Sequence, residues 1–166
     1  MGLVLGARHS DAAYAVAAAV FGVGAATDFF DGYLARSWGA TTKLGSFLDT
    51  TADKLLVTGP LIALVEVGRA SAWIAFVIVG RELLILGLRG VVAAEGVVFA
   101  PSIWGKLKAN VQFLAIFLAI LRFGSPLGPL YVDEWVMLAA AAITVASGAE
   151  YVVHFWSSLR SERPSP

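Results

Sequence analysis

Long apolar runs separated by short polar stretches dominate the pattern along the chain. Nothing in them alternates with period two, and five runs approach the roughly 20 residues that a bilayer-crossing helix needs. These runs are 12–30, 44–67, 72–94, 106–123 and 135–156. The connections "EVGRAS", "EGVVFAPSIWG" and "RFGSPLGP" carry the Gly, Pro and charged residues typical of turns. The pattern predicts an all-α, polytopic membrane bundle of five transmembrane helices that forms a single domain over 1–166.

Composition supports a membrane protein and excludes other classes. The chain has 166 residues, of which 58% are hydrophobic and only 14% are charged, whereas soluble domains contain about 25% charged residues. Twelve basic residues balance twelve acidic ones, so net charge gives no support for a nucleic-acid partner. The absence of cysteine excludes disulfides and thiol chemistry.

Basic residues divide unequally between the two ends of a bundle whose helices alternate in direction. One end collects Arg36, Lys43, Lys106, Lys108, Arg160 and Arg163, and the other collects Arg8, Arg69 and Arg122. Membrane proteins keep Lys and Arg on the cytoplasmic side. We therefore expect the first end to face the cytoplasm.

Four aspartates interrupt the apolar pattern within "TDFFDGYLARSWGATTKLGSFLDTTADK", residues 27–54. At about 100° per residue, Asp28 and Asp31 lie roughly 60° apart on a helix, and Asp49 and Asp53 roughly 40° apart. Each pair thus shares one helix face. The glycine-bearing segment between the pairs allows the two helices to return side by side, so we expect four carboxylates to converge near the cytoplasmic surface.

Such convergence is unfavourable without cations, because buried like charges repel and carboxylates are costly to ionise in a low dielectric. Mg²⁺ or Mn²⁺ would relieve it, since both prefer carboxylate oxygen and leave positions for phosphate and water. Two such ions would neutralise a pyrophosphate during phosphoryl transfer. The alternatives are helix caps or interfacial residues, and a cation transporter, which would bury acidic residues but also show repeats or broken helices.

The aspartates also form a recognisable motif. Asp28-x-x-Asp31-Gly32-x-x-Ala35-Arg36, followed by Gly45-x-x-x-Asp49-x-x-x-Asp53, resembles the signature of the CDP-alcohol phosphotransferases. Downstream, "ADKLLV" (52–57), "RELLILGLR" (81–89) and "GKLKANVQ" (105–112) are similar to the phosphatidylglycerophosphate synthase branch of that family. Members of the family usually begin with a further helix, so the resemblance implies a six-helix protein whose first helix is missing from this chain.

The resemblance implies a reaction in which CDP-diacylglycerol donates its phosphatidyl group to glycerol 3-phosphate. A cardiolipin synthase using phosphatidylglycerol, or a branch using an inositol phosphate, remains an alternative. The resemblance further implies a homodimer in contact with membrane lipids, in a bacterial cytoplasmic membrane, with the active site facing the cytoplasm.

The resemblance also assigns roles to residues. The ligands of the two Mg²⁺ or Mn²⁺ ions would be Asp28, Asp31, Asp49 and Asp53, with Asp53 as a metal ligand or the general base. The CDP-diacylglycerol site would comprise Asp31, Gly32, Ala35, Arg36 and Gly45. The acceptor's phosphate would be bound by Arg81, Arg89, Lys106 and Lys108. Arg81 could instead pair with Glu82, with Asp53 or with a neighbouring helix, and the two lysines could instead reach lipid headgroups.

Overall fold

The computed structural model describes the backbone of residues 11–38, 43–94 and 103–161. Side chains are described for 11–27, 50–91 and 107–156, together with Phe30, Gly45 and Leu48. Within these ranges the chain forms five α-helices: α1 (Asp11–Trp38), α2 (Lys43–Glu66), α3 (Ala72–Ala94), α4 (Ile103–Leu121) and α5 (Val132–Ser161). The predicted all-α architecture is confirmed for these residues, and each predicted apolar run coincides with one helix.

Two helices extend well beyond the apolar runs that predict them. Helix α1 continues past residue 30 to Trp38, and α5 continues past residue 156 to Ser161. Hydropathy marks where apolar residues stop, whereas a helix continues as long as its residues favour helical backbone, as Leu, Ala and Arg do. The stretch expected to be a connection, 32–45, is therefore mostly helical, and Asp31, Gly32, Ala35 and Arg36 all lie on α1.

Helix α4 occupies the centre of the bundle. It packs against α1, α2 and α5, while α3 packs against α2 and α5, and α1 packs against α2. The residues of α4 that face these neighbours, Ala115, Ile116, Ala119 and Ile120, are almost completely buried. Their spacing follows one face of a helix, and they pack in one core with Leu61 and Leu64 of α2 and Ile78 of α3.

The outer surface of the bundle is strongly apolar. Val16, Val20 and Val23 form an exposed face on α1, and Phe76 and Leu83 are exposed on α3. Among the described residues, one helical stretch, Val132–Trp156, has both the length and the low charge of a membrane span; Asp11–Thr27 and Leu107–Leu121 are apolar but shorter. Charged residues interrupt α2 at 53–54 and α3 at 81–82 and 89. The five helices are thus confirmed, whereas five membrane crossings remain a prediction.

The turns after α2 and α4 meet at one end of the bundle. Arg69 Nη1 donates to the carbonyl of Ile120 at 2.6 Å, and its guanidinium lies 3.6 Å from the centre of the Tyr14 ring. Arg122 Nη2 donates to the carbonyl of Arg69 at 3.2 Å and to Asp133 Oδ2 at 3.1 Å. The prediction that Arg69 and Arg122 share one end is confirmed.

Candidate functional site

The predicted aspartates lie on the two helices expected to carry them. Asp28 and Asp31 are in α1, and Asp49 and Asp53 are in α2. The side chains of Asp28, Asp31, Asp49, Gly32, Ala35, Arg36 and Lys106 lie outside the described residues, so the convergence of four carboxylates stays a prediction. Asp53 is described, and 35% of its side chain is exposed.

Contacts between α1 and its neighbours establish the register of these helices. A Cβ placed on Gly24 would lie 3.5 Å from Leu56 Cδ1 of α2, and the rings of Phe21 and Phe113 are 5.9 Å apart between α1 and α4. Helix α1 runs antiparallel to α2 and α4, because its Tyr14 lies at the end where those two helices finish. One turn further along α1 is Asp28, and one turn earlier in α2 is Asp53. The backbones of the two aspartates therefore lie at a similar depth in the bundle.

At this depth, Glu82 of α3 is surrounded by cations. Lys54 Nζ lies 2.8 Å from Glu82 Oε2 and also 2.8 Å from Asp53 Oδ2. Arg81 Nη1 lies 3.4 Å from Glu82 Oε1, and Lys108 of α4 forms a salt bridge with the same oxygen. We refer to Asp53, Lys54, Arg81, Glu82 and Lys108 as the Glu82 cluster. The cluster joins α2, α3 and α4 through side chains that are largely removed from solvent.

Burial and net charge define the electrostatics of the Glu82 cluster. Glu82 is 4% exposed and Lys108 is 6% exposed. Three cationic and two anionic side chains leave one positive charge in excess. Removing one partner of a buried ion pair leaves the other charge uncompensated. This destabilises the folded protein by roughly 3–5 kcal/mol. Within the described residues, this excess charge makes the Glu82 cluster itself suited to an anion.

A chain of polar side chains connects the Glu82 cluster to α5. Arg81 Nη2 donates to Ser147 Oγ at 3.1 Å, and Ser147 Oγ donates to the carbonyl of Thr144 at 3.0 Å. Gln112 Nε2 of α4 donates to Thr144 Oγ1 at 2.8 Å. Gln112, Thr144 and Ser147 are all at most 4% exposed, so these bonds form in the interior of the bundle.

The predicted acceptor-phosphate residues occupy different surroundings. Arg81 and Lys108 belong to the Glu82 cluster, and the alternative pairing of Arg81 with Glu82 is confirmed. Arg89 lies about 12 Å further along α3, is exposed, and its guanidinium is 5.8 Å from the centre of the Tyr151 ring. The structure brings Arg81 and Lys108 together around one carboxylate. Arg89 lies away from this carboxylate, on the side of α3 that faces α5.

Sequence reasoning missed Lys54, Ser147 and Thr144, and named Glu82 only as a partner of Arg81. Lys54 follows Asp53 directly, and a basic residue beside a candidate catalytic acid was a usable signal. Thr144 and Ser147 lie three residues apart on an otherwise apolar helix. Residues at this spacing share a helix face, and this was the signal that they belong to one polar contact.

Comparison with known proteins places the chain beside a set of bacterial enzymes. A family model described as CDP-alcohol phosphatidyltransferase matches residues 1–146. The chain is 42% identical over 154 residues to a "Probable phosphatidylglycerophosphate synthase" of Mycobacterium tuberculosis, covering 92% of this chain and 71% of the relative. It is 37% identical over 161 residues to the "CDP-diacylglycerol–glycerol-3-phosphate 3-phosphatidyltransferase" of Bacillus subtilis, covering 96% and 83%. The protein of the same name in Haemophilus influenzae is 36% identical over 139 residues, covering 80% and 73%.

Proposed function

Because the chain belongs to the CDP-alcohol phosphatidyltransferase family, we propose that it transfers the phosphatidyl group of CDP-diacylglycerol to glycerol 3-phosphate. The products are phosphatidylglycerophosphate and CMP, and the reaction belongs to phospholipid biosynthesis. The observation that carries this proposal is the match to the Bacillus subtilis enzyme, whose name states both substrates and which aligns with 96% of this chain.

We infer that the bundle spans the cytoplasmic membrane of a bacterium. The exposed apolar faces of α1 and α3 are suited to lipid, and the relatives named above are bacterial. The unequal distribution of basic residues supports an active site on the cytoplasmic side. A homodimer remains a prediction from the family resemblance.

The predicted metal site has one described side chain, Asp53, and its chemistry suits a divalent cation. Asp53 offers a partly exposed carboxylate at the edge of the Glu82 cluster, and its depth matches that of Asp28. Carboxylate oxygens are the ligands that Mg²⁺ and Mn²⁺ prefer, so we propose that Asp28, Asp31, Asp49 and Asp53 hold such ions. Bound ions would neutralise the charge of the donor's pyrophosphate. Gly32, Ala35 and Gly45 would allow the nucleotide to approach the backbone, and Arg36 would bind a phosphate.

The acceptor's hydroxyl and phosphate would be handled by different groups. Asp53 would take the hydroxyl proton as the oxygen bonds to the phosphorus next to diacylglycerol, and the bond from that phosphorus to the CMP oxygen would break. Arg81, Arg89, Lys106 and Lys108 would bind the acceptor's phosphate. The positive excess of the Glu82 cluster supports this part of the proposal, since phosphate binding there would compensate it.

The test is to follow CMP release from CDP-diacylglycerol by the purified protein in detergent. Mg²⁺ or Mn²⁺ is supplied, and glycerol 3-phosphate, phosphatidylglycerol or inositol phosphate is offered separately. Release that depends on glycerol 3-phosphate supports the proposal. Release with only one of the other acceptors would keep the family and refute the acceptor.

Replacement of Asp53 tests its role in this reaction. Asp53→Asn keeps the size of the side chain but removes the base, so CMP release with glycerol 3-phosphate should fall at least about a hundredfold. Asp11→Asn is the matched control, because Asp11 is exposed in the first turn of α1, at the other end of that helix. Equal activity of the two variants would refute a catalytic role for Asp53.

A further inference from the structure

Arg81 is held by two elements of the bundle at once. Its Nη1 contacts Glu82 Oε1 at 3.4 Å, and its Nη2 donates to Ser147 Oγ at 3.1 Å. Only 13% of its side chain is exposed. Its Nε is buried and has no hydrogen-bond partner among the described residues. The guanidinium carries five N–H donors, so it keeps donors for a further acceptor after both contacts are made.

The hydroxyl of Ser147 is oriented to receive Arg81. Ser147 Oγ donates its proton to the carbonyl of Thr144 one turn earlier in α5, at 3.0 Å. This leaves the lone pairs of the oxygen to accept from Arg81. Thr144 is fixed in turn by Gln112 of α4. The acceptor for Arg81 is therefore immobilised by a bonded series that reaches the central helix.

Gly148 provides the space that the stem of Arg81 fills. A Cβ added to Gly148 would lie 3.0 Å from Arg81 Cγ and 3.5 Å from Arg81 Nε. A methyl group there would press on the stem of the side chain, which would have to move by a few tenths of an ångström and would carry the guanidinium with it. Other glycines of the bundle differ, since a Cβ on Gly80 or Gly87 of α3 would meet nothing within 4 Å.

We propose that Ser147 and Gly148 are positioning residues that fix the guanidinium of Arg81 for the phosphate of the acceptor. The inference rests on the proposed function, and it concerns α5, a helix to which the motifs assign no role. Both residues directly follow the part of the chain that the family model matches, 1–146. The acceptor's affinity would thus depend on two residues of α5 that act through Arg81.

The experiment compares steady-state constants for Gly148→Ala, Ser147→Ala and the matched control Gly87→Ala. Gly148→Ala should raise KM for glycerol 3-phosphate about tenfold, because a misplaced guanidinium loses a charge-assisted hydrogen bond. The KM for CDP-diacylglycerol should be unchanged. Ser147→Ala adds no bulk and should act in the same direction, and Gly87→Ala should match the wild type. Because Ala favours helix more than Gly does, Gly148→Ala is expected to fold. If Gly148→Ala does not fold, the KM of Ser147→Ala for glycerol 3-phosphate decides the test.

A coupling measurement separates positioning from a general effect on structure. In an Arg81→Lys background the fork of donors is gone, so Gly148→Ala should cause little further rise in KM for glycerol 3-phosphate. An equal rise in both backgrounds, or an equal rise in KM for both substrates, would overturn the inference. A wild type that releases CMP without need of glycerol 3-phosphate would instead overturn the proposed function, and the inference with it.

Discussion

At the scale of single residues, Glu82 compensates three cationic side chains at once. It contacts Lys54 from α2, Lys108 from α4 and its neighbour Arg81, and it is only 4% exposed. Lys54 and Arg81 have second partners in Asp53 and Ser147. For Lys108, Glu82 is the sole partner found among the described side chains. Among the described side chains, the charge of Lys108 is therefore compensated by Glu82 alone.

Glu82→Gln should destabilise the protein by roughly 3 kcal/mol or more, because it leaves buried cations uncompensated. The measurement is unfolding of the detergent-solubilised protein, followed by far-UV circular dichroism. Asp11→Asn, at an exposed carboxylate in the first turn of α1, is the control and should change stability by about 0.5 kcal/mol or less.

The double variant Glu82→Gln/Lys108→Met gives the sharper comparison. It removes the cation that has lost its partner, so it should be more stable than Glu82→Gln alone. Equal stability of the single and double variants would show that Lys108 does not depend on Glu82.

At the scale of helices, the sequence was sufficient to predict the five helices but not the side-chain contacts between them. The apolar runs predicted five helices because long, unbroken hydrophobic stretches rich in Ala and Leu are typical of helices and not of strands. The sequence did not predict helix ends where a helix continues beyond its apolar run, as α1 does to Trp38. The bond between Gln112 and Thr144 joins residues 32 apart in sequence. The sequence around a single Gln or Thr in an apolar helix does not indicate which distant residue it will bond. Such a contact can be identified only once the packing of the two helices is known.

The Gln112–Thr144 bond predicts an asymmetry between single and double replacements. Thr144→Val keeps the shape but leaves a buried Gln112 amide without its acceptor, so stability should fall by about 1–3 kcal/mol. Gln112→Met/Thr144→Val removes both polar groups and should recover most of that loss. Unfolding of the two variants under identical detergent conditions measures the difference. A double variant less stable than Thr144→Val would contradict the expected compensation.

At the scale of the whole molecule, the proposed acceptor site and the turn contacts lie at opposite ends of the bundle. The Glu82 cluster lies near the beginning of α4, and the turn contacts of Arg69 and Arg122 lie at its end. Lys108 and Leu121 are about 20 Å apart along α4. The far end has its own arrangement: Arg122 adopts a φ of 42°, and it binds both Asp133 and Glu134 at the start of α5. Stability of the bundle and binding of substrate should therefore respond to different substitutions.

Arg122→Ala tests this separation. Asp133 is 3% exposed and its Oδ1 already lacks a hydrogen-bond partner among the described residues, so loss of Arg122 leaves a buried carboxylate uncompensated. Stability should fall by about 3 kcal/mol, and Arg122→Ala/Asp133→Asn should recover part of the loss because the stranded charge is gone. At a temperature where the variant remains folded, its KM for glycerol 3-phosphate should equal that of the wild type, since the proposed acceptor residues lie at the opposite end. A raised KM in the folded variant would mean that the turn contacts control the distant Glu82 cluster, and the two ends would have to be treated as one coupled unit.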